Sequence, residues 1–155
     1  MSLLSRILCG LGLSLNLGMA IAQAPAAPMG EVKGSAVVHT PESARDVVLG
    51  AAVVLPASVT GGAIFSGPMR DAPREVKARV PVVVFLHGSS GLGLKAIGEW
   101  QQWLATLGVA SIAPDSFALP GRLTYKSPVD KGVYEKIHAL RHSEIDLALQ
   151  ALQDA

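Results

Sequence analysis

The sequence has a single cysteine, Cys9, and it lies inside an apolar N-terminal run. A lone cysteine excludes an intrachain disulfide and a multi-thiolate metal site. Charge is also sparse, because 13 basic and 12 acidic residues nearly cancel over 155 residues, with no basic patch or acidic tail. This balance gives no support for a nucleic-acid partner. Half of the residues are hydrophobic, which indicates a globular chain long enough for one domain.

The first thirty residues carry one charge, Arg6, followed by an apolar run from Ile7 to Ala22. Small residues at Ala20 and Ala22 match the positions that a signal peptidase reads. We therefore expect a Sec-type signal peptide over residues 1–22, cleavage after Ala22, and a secreted or periplasmic protein without a stable membrane span. The alternative is a transmembrane anchor, which the short, glycine-interrupted run and the missing basic cluster after it disfavour.

The remaining chain divides into a flexible Ala/Pro-rich leader, residues 23–31, and one domain, residues 32–155. The first part of the domain alternates β-type segments with breakers. It predicts short strands at Ser35–His39, Asp46–Leu55 and Gly61–Phe65, before a polar surface loop over residues 67–79.

A β-α-β unit follows. The apolar, β-branched run Val80–Leu86 predicts a strand buried on both faces, and Lys95–Leu107 predicts a helix with Gly108 as its C-cap. Val109–Ala113 predicts a second buried strand. Because a helix connects the two strands, we expect them to lie parallel.

The last predicted helix spans Val133–Leu152, after a loop over residues 115–131. Arg141 and Glu144 lie three residues apart near its apolar face, which predicts an ion pair across one turn. We interpret this pair as structural, because structural ion pairs are far commoner than catalytic ones.

The segment VPVVVFLHGSSG, then a helix, then VASIAPDSF, resembles the α/β-hydrolase superfamily and, within it, the dienelactone hydrolase-like group. The resemblance covers residues 36–155. It implies a partial α/β-hydrolase fold, with N-terminal β-strands, a parallel β-α-β unit and a following helix. It also implies a small-molecule ester or lactone substrate, a serine acyl-enzyme, and no metal or organic cofactor.

By this resemblance, the backbone N–H of Ser89 is one donor of an oxyanion hole, with Gly88 and His87 shaping the loop. The alternative is a tight strand-to-helix turn without a ligand. Arg122 and Tyr125 follow the second strand, where loops form the binding crevice of such folds, and are candidate substrate contacts or simply solvated loop residues.

The nucleophile of this superfamily sits in G-x-S-x-G, and no serine of the chain fits that pattern. Because the acid and the base follow the nucleophile in chain order, we expect no member of the catalytic triad among these residues. His39, His138 and His142 are then surface or packing histidines. We expect the chain alone to be inactive.

Two other readings stay open. Gly91-Leu92-Gly93-Leu94-Lys95-Ala96 matches the G-x-G-x-x-A fingerprint of a Rossmann-like nucleotide-binding protein, although four residues, 87–90, separate it from the strand. The chain could also be a non-catalytic truncated product. In that case Val80–Leu86 would be an edge strand, and we expect self-association through that edge.

Overall fold

The computed structural model describes residues 29–153. The predicted signal peptide and residues 23–28 of the predicted leader lie outside the described residues. The described chain is a mixed α/β domain, and its main elements are these: helices α1 (Pro41–Leu49), α2 (Ala57–Thr60), α3 (Lys95–Thr106) and α4 (Lys131–Gln153), and strands β1 (Val32–Lys33), β2 (Ala52–Leu55), β3 (Phe65–Pro68), β4 (Val82–Val84), β5 (Ala110–Ala113) and β6 (Thr124–Tyr125).

Four strands form one mixed sheet in the order β3-β2-β5-β4. β4 and β5 are parallel and α3 connects them, which confirms the predicted β-α-β unit. β2 runs antiparallel to both of its neighbours. β1 and β6 pair separately as a two-stranded antiparallel ribbon.

Helices cover both faces of this sheet. On one face Val53 of β2 and Ile112 of β5 form the core together with Ala148 of α4. On the other face α3 packs against β2 and β5. Gln101 of α3 is buried there, and its side-chain amide donates to the carbonyl of Ala52 at 3.1 Å. The domain is therefore an α/β/α sandwich, in which alternate residues of each strand face different helices.

The strand predicted over Asp46–Leu55 is wrong in its first half, because α1 occupies Pro41–Leu49 and the strand begins at Ala52. Thr40 and Ser43 form a reciprocal capping box, and Pro41 stands at the first helical position. These features start a helix before the β-branched pair Val47-Val48 is reached. The cap therefore overrides the β propensity of the valines.

The other two predicted early strands are also displaced. Ser35–His39 contributes a single bridge, from Ala36 to Arg122, and no strand. The strand predicted over Gly61–Phe65 lies instead at Phe65–Pro68, where it pairs with β2. The sequence thus indicated β structure in this region but misplaced its boundaries.

β4 is not buried on both faces as predicted. It is the outermost strand of the four, and Val82 is 40% exposed. Only β5 pairs with it within residues 29–153. An edge strand has one side without a neighbour, so part of its apolar surface stays in contact with solvent.

The end of α3 is close to the prediction, since the helix stops at Thr106 with Leu107 as its cap. Gly108 follows in a left-handed conformation (φ 81°) that favours glycine. Its N–H donates to the carbonyl of Ala105, and the N–H of Val109 donates to that of Leu104. These two bonds make a Schellman motif, which satisfies the last carbonyls of the helix.

The apolar face of α3 is wider than its buried face. Trp100, Trp103 and the cap residue Leu107 are all at least half exposed, although they share the apolar spacing that predicted the helix. The two tryptophan rings contact each other edge to face, with centroids 5.2 Å apart. Gln101 and Ala105 are the residues that α3 buries.

Candidate functional site

The candidate site lies where the parallel strands end. The turn His87–Ser90 follows β4, and Pro114–Phe117 follows β5. Parallel neighbours end at the same edge of a sheet, so the two turns meet there. The contact is direct, because the backbone N–H of Ser116 donates to Nε2 of His87 at 2.9 Å.

This bond fixes the protonation of His87. A backbone amide can only donate, so Nε2 must accept, and the proton of the neutral ring must then be on Nδ1. Nδ1 lies 2.8 Å from the carbonyl oxygen of Gly88 and donates to it. The side chain of His87 is fully buried, and burial lowers the pKa of its imidazole below the ordinary value of 6.5. His87 is therefore a neutral ring with both nitrogens engaged, and not a general base.

The Gly88–Ser89 peptide is held by its carbonyl. The oxygen of Gly88 accepts from His87 Nδ1 and also from the N–H of Gly91 at 3.2 Å. The C=O and N–H of a trans peptide point in opposite directions, so the N–H of Ser89 is directed away from His87. Within residues 29–153 that N–H donates to no protein acceptor, and Ser89 is exposed.

The backbone requires glycine at Gly91, immediately after this turn, and not at Gly88 within it. Gly91 is buried with φ 65°, and a Cβ there would lie 3.2 Å from Cδ2 of Phe117. Gly88 has no left-handed φ, and a Cβ there would meet no heavy atom within 4 Å. The space beside Gly88 is open and Ser89 is exposed, so solvent reaches this part of the turn.

Arg141 of α4 contacts both the backbone and the side chain of His87. Its Nη2 donates to the carbonyl of His87 at 2.7 Å, and its Nη1 lies 3.3 Å from His87 Nε2. Its Nε lies 3.6 Å from Oε2 of Glu144, which confirms the predicted pair. Burial lowers the pKa of Arg141, while the charge of Glu144 acts in the opposite direction. The ion pair thus supports the end of β4 without reaching a ligand position.

Glu144 is completely buried, and its other carboxylate oxygen joins it to a row of polar side chains formed with His39 and Ser43. Its Oε1 lies 3.3 Å from Nε2 of His39, whose Nδ1 lies 3.2 Å from the hydroxyl of Ser43. A serine, a histidine and a carboxylate in line are the components of a hydrolytic triad. Ser43 is buried, however, and its hydroxyl already accepts from the backbone N–H of Thr40 and donates to the carbonyl of Thr40. The row therefore caps α1 and joins it to α4.

The structure gives His39 the packing role that the sequence predicted, but the sequence did not reveal its partner. Glu144 lies 105 residues away along the chain, so no local spacing connects the two. His138 and His142 are both exposed, and the ring of His138 contacts that of Tyr134 in a tilted arrangement, with centroids 4.2 Å apart. Neither histidine forms a hydrogen bond to Ser89 or Ser90 in the described chain.

Arg122, a predicted substrate contact, lies beside the turn but is occupied. Its Nε donates to the hydroxyl of Ser116 at 2.8 Å, its Nη1 donates to the carbonyl of Leu123, and its guanidinium stacks on Phe117 at 4.7 Å. Burial and the nearby charge of Arg141 lower its pKa. Arg122 therefore orders the loop after β5. Its Nη2 forms no hydrogen bond within residues 29–153 and is free for a ligand.

Tyr125, the other predicted contact, lies in β6 and pairs with Val32 of β1. Its ring contacts Tyr134 of α4, with centroids 6.2 Å apart. It forms no hydrogen bond with the turn His87–Ser90 in the described part of the chain. The structure therefore joins Arg122, but not Tyr125, to the site.

A groove of about 570 Å³ lies between α3 and the edge of β2 and β3. Leu92, Lys95 and Gln101 line it, whereas His87 and Ser89 do not. The groove and the outward N–H of Ser89 are therefore separate features of this surface.

No protein-family model, curated protein or solved structure matches the chain. Residues 29–153 contain no helix long and apolar enough to cross a membrane. The same residues contain no group of three or more His, Cys, Asp or Glu side chains placed to hold a metal ion.

Proposed function

We propose that this chain is an exported member of the α/β-hydrolase superfamily, of the dienelactone hydrolase-like group, and that Ser89 donates its backbone N–H to the oxyanion of an ester or lactone substrate. The orientation of the Gly88–Ser89 peptide carries the proposal. Its carbonyl is held by His87 Nδ1–H and its N–H points outward without a protein acceptor.

The chemistry follows from this geometry. No serine of the sequence fits G-x-S-x-G, so we propose an oxyanion site and not turnover by these residues alone. When a nucleophile from outside these residues adds to an ester or lactone carbonyl, the carbonyl oxygen becomes an anion, and a fixed N–H stabilises that charge more than it stabilises the neutral oxygen. The donor is already oriented, because Ser116 holds Nε2 of His87 and Arg141 holds its backbone carbonyl. One such donor typically contributes about 10²–10³ in rate.

A tetrahedral anion tests the proposal directly. Methylphosphonate, titrated into the protein while amide resonances are recorded by NMR, should shift the Ser89 amide more than any other and reach saturation. Ser89→Ala keeps the N–H and should bind equally well. Ser89→Pro removes the N–H and should lose the response. An equal response from both variants would show that the anion binds elsewhere.

A nicotinamide cofactor distinguishes the nucleotide-binding alternative. A Cβ at Gly93 would meet no heavy atom within 4 Å, so Gly93→Val should fold normally while blocking close approach of a pyrophosphate. We expect no saturable binding of NADH by the unmodified protein. Saturable binding of NADH that Gly93→Val removes would favour a dinucleotide-binding protein over a hydrolase.

Export is part of the proposal and has its own test. Arg6, the apolar run after it and Ala20-Ile21-Ala22 support a signal peptide. Protein recovered from the periplasm or the medium should begin at Gln23. Recovery of the protein from the cytoplasm with its first residues intact would contradict export.

A further inference from the structure

The buried carboxylate of Glu144 lies between two groups that compete for it. Its Oε1 lies 3.3 Å from Nε2 of His39, and its Oε2 lies 3.6 Å from Nε of Arg141. A carboxylate can only accept hydrogen bonds, so Nε2 of His39 carries a proton and donates to it. In the described chain Oε2 forms no hydrogen bond, although Glu144 is completely buried. Glu144 is therefore bonded to His39 and only close to Arg141.

The guanidinium of Arg141 is directed elsewhere. Its shortest contact is the hydrogen bond that Nη2 donates to the carbonyl of His87, at 2.7 Å. A guanidinium and a carboxylate in direct contact usually form two parallel hydrogen bonds of about 2.7–2.9 Å. The separation of 3.6 Å between Arg141 and Glu144 is well beyond that range. Arg141 is thus held on the turn after β4 and not on the nearest buried carboxylate.

His39 is fixed from its other side. Its side chain is 5% exposed, and its Nδ1 lies 3.2 Å from the hydroxyl of Ser43 in the first turn of α1. The same hydroxyl accepts from the backbone N–H of Thr40, as half of the capping box of α1. The imidazole cannot leave Glu144 without losing its contact with this cap. His39 therefore holds Oε1 of Glu144 on the α1 side of the carboxylate.

We propose that His39 is a positioning residue of the oxyanion turn, because its bond to Glu144 keeps the guanidinium of Arg141 on the carbonyl of His87. The inference rests on the proposed role of Ser89. Without His39, Oε1 of the buried carboxylate has no donor, and the cation beside it is Arg141. The carboxylate then closes on the guanidinium in a two-bond pair. The carbonyl of His87 loses its donor, and the turn that directs Ser89 loosens.

This competition predicts a rescue by a second substitution. In His39→Leu the carboxylate captures Arg141, whereas in His39→Leu with Glu144→Gln no negative charge is left to attract the guanidinium. The double variant should therefore recover the turn, although it has lost more of its buried polar contacts. If His39 only contributed stability, the double variant would be the worse of the two. His39→Gln keeps a donor near the position of Nε2 and should behave like the unmodified protein.

Hydrogen exchange without any ligand tests the positioning. The amide of Ser116, which donates to Nε2 of His87, reports whether the turn is held. Its exchange rate, divided by that of the core amide of Ile112, should rise at least about tenfold in His39→Leu and return to within about twofold in the double variant. His142→Leu makes the same change at an exposed histidine of α4 and should leave the ratio unchanged. Circular dichroism establishes that each variant is folded.

The affinity for methylphosphonate, measured from the amide resonance of Ser89, gives a second readout. The dissociation constant should rise about tenfold in His39→Leu. It should stay unchanged in the double variant, in His39→Gln and in His142→Leu. An unmodified protein in which methylphosphonate does not shift Ser89 contradicts the proposed function, and the exchange ratios then still decide the role of His39.

The exchange ratios also contain the results that would overturn the inference. Equal ratios in His39→Leu and His142→Leu would do so, as would a double variant that exchanges faster than His39→Leu. If His39→Leu does not fold, Glu144→Gln alone decides. It should keep the ratio of the unmodified protein, because Arg141 stays on the turn, and a tenfold rise in that ratio would contradict the competition for Arg141.

Discussion

The backbone N–H of Ser116 donates to Nε2 of His87 at 2.9 Å and connects the ends of the two parallel strands. This bond is possible only while Nε2 is unprotonated. The same bond leaves the ring proton on Nδ1, which holds the carbonyl of Gly88. The turn that directs the N–H of Ser89 outward thus depends on a neutral, buried histidine.

The stability of the domain should therefore fall in mild acid. Burial lowers the pKa of His87, so the unfolded chain takes up its proton at higher pH than the folded chain. The stabilisation is complete above about pH 6.5, the ordinary pKa of histidine, and is lost as pH falls through the lower pKa of the folded state. Denaturant unfolding at about pH 7.5 and pH 5 measures the loss.

Variants identify the group responsible. His87→Asn removes the titration and keeps a donor near Gly88, so it should reduce the fall in stability between the two pH values. His138→Gln removes an exposed histidine and should leave the fall unchanged. Oδ1 of Asp115 lies 3.4 Å from Nε2 of His87, and Arg141 and Ser116 also face the ring. In the described chain the exposed His138 contacts none of these three residues, so His138→Gln leaves them in place. An equal pH dependence in the protein and in His87→Asn would assign the loss to another group.

The pair of Arg141 and Glu144 should be costly to break from one side. Arg141→Met leaves the fully buried Glu144 with His39 alone, and we expect a loss of about 3–5 kcal/mol in unfolding free energy. The exposed pair of Lys131 and Glu135, 3.3 Å apart, is the control, and Lys131→Met should cost under about 0.5 kcal/mol.

A double variant separates the pair energy from other effects. Arg141→Met with Glu144→Met removes both charges, and its cost should be well below the sum of the two single variants, because no uncompensated charge stays buried. If the loss of unfolding free energy in the double variant equals the sum of the two single losses to within about 0.5 kcal/mol, the two side chains act independently.

Replacing Gly91 should destabilise the turn, whereas replacing Gly93 should not. Gly91→Ala places a Cβ at a left-handed φ and 3.2 Å from Phe117, and we expect a cost of about 1–2 kcal/mol. Gly93→Ala is the matched control, since its Cβ meets open space and its φ is not left-handed. Thermal melts of the two variants make the comparison, and similar melting temperatures would contradict the conformation of Gly91.

The 155 residues alone should not hydrolyse p-nitrophenyl acetate above the rate in buffer. Ser89 and Ser90 have no histidine within hydrogen-bond distance in the described chain, and Ser43, which does contact His39, is buried in a helix cap. Turnover lost in Ser43→Ala would make the row of Ser43, His39 and Glu144 a working triad. Turnover lost on replacing His138 or His142, but not the hydroxyls of Ser89 and Ser90, would contradict the predicted absence of a base.

Much of the second half of the fold was predictable. Continuous β-branched runs with a periodic helix between them predicted β4, α3 and β5, because burial and periodicity agree there. The first half was not, since Asp46-Val47-Val48 favours a strand locally while the capping box at Thr40 begins a helix. Burial of β4 was overestimated for a different reason: an apolar run reports hydrophobicity and not whether a neighbouring strand covers it.

The candidate site, like the fold, was predictable from the sequence only in part. HGSSG predicted the turn after β4, and the spacing of Arg141 and Glu144 predicted their pair. The role of Ser89 stays a prediction. The bonds from Ser116 to His87 and from His39 to Glu144 join residues far apart in sequence, so only the tertiary fold brings them together. The position of Phe117 beside Gly91 also depends on the tertiary fold, so the motif alone predicts Gly88, and not Gly91, as the glycine that shapes the loop.

An experimental structure of the protein soaked with methylphosphonate tests the central claim most directly. We predict a phosphonate oxygen about 3 Å from the backbone nitrogen of Ser89, with the Gly88 carbonyl still bonded to His87. An anion bound at the turn Gly91–Gly93, or a Ser89 N–H that has turned inward to a protein acceptor, would contradict it.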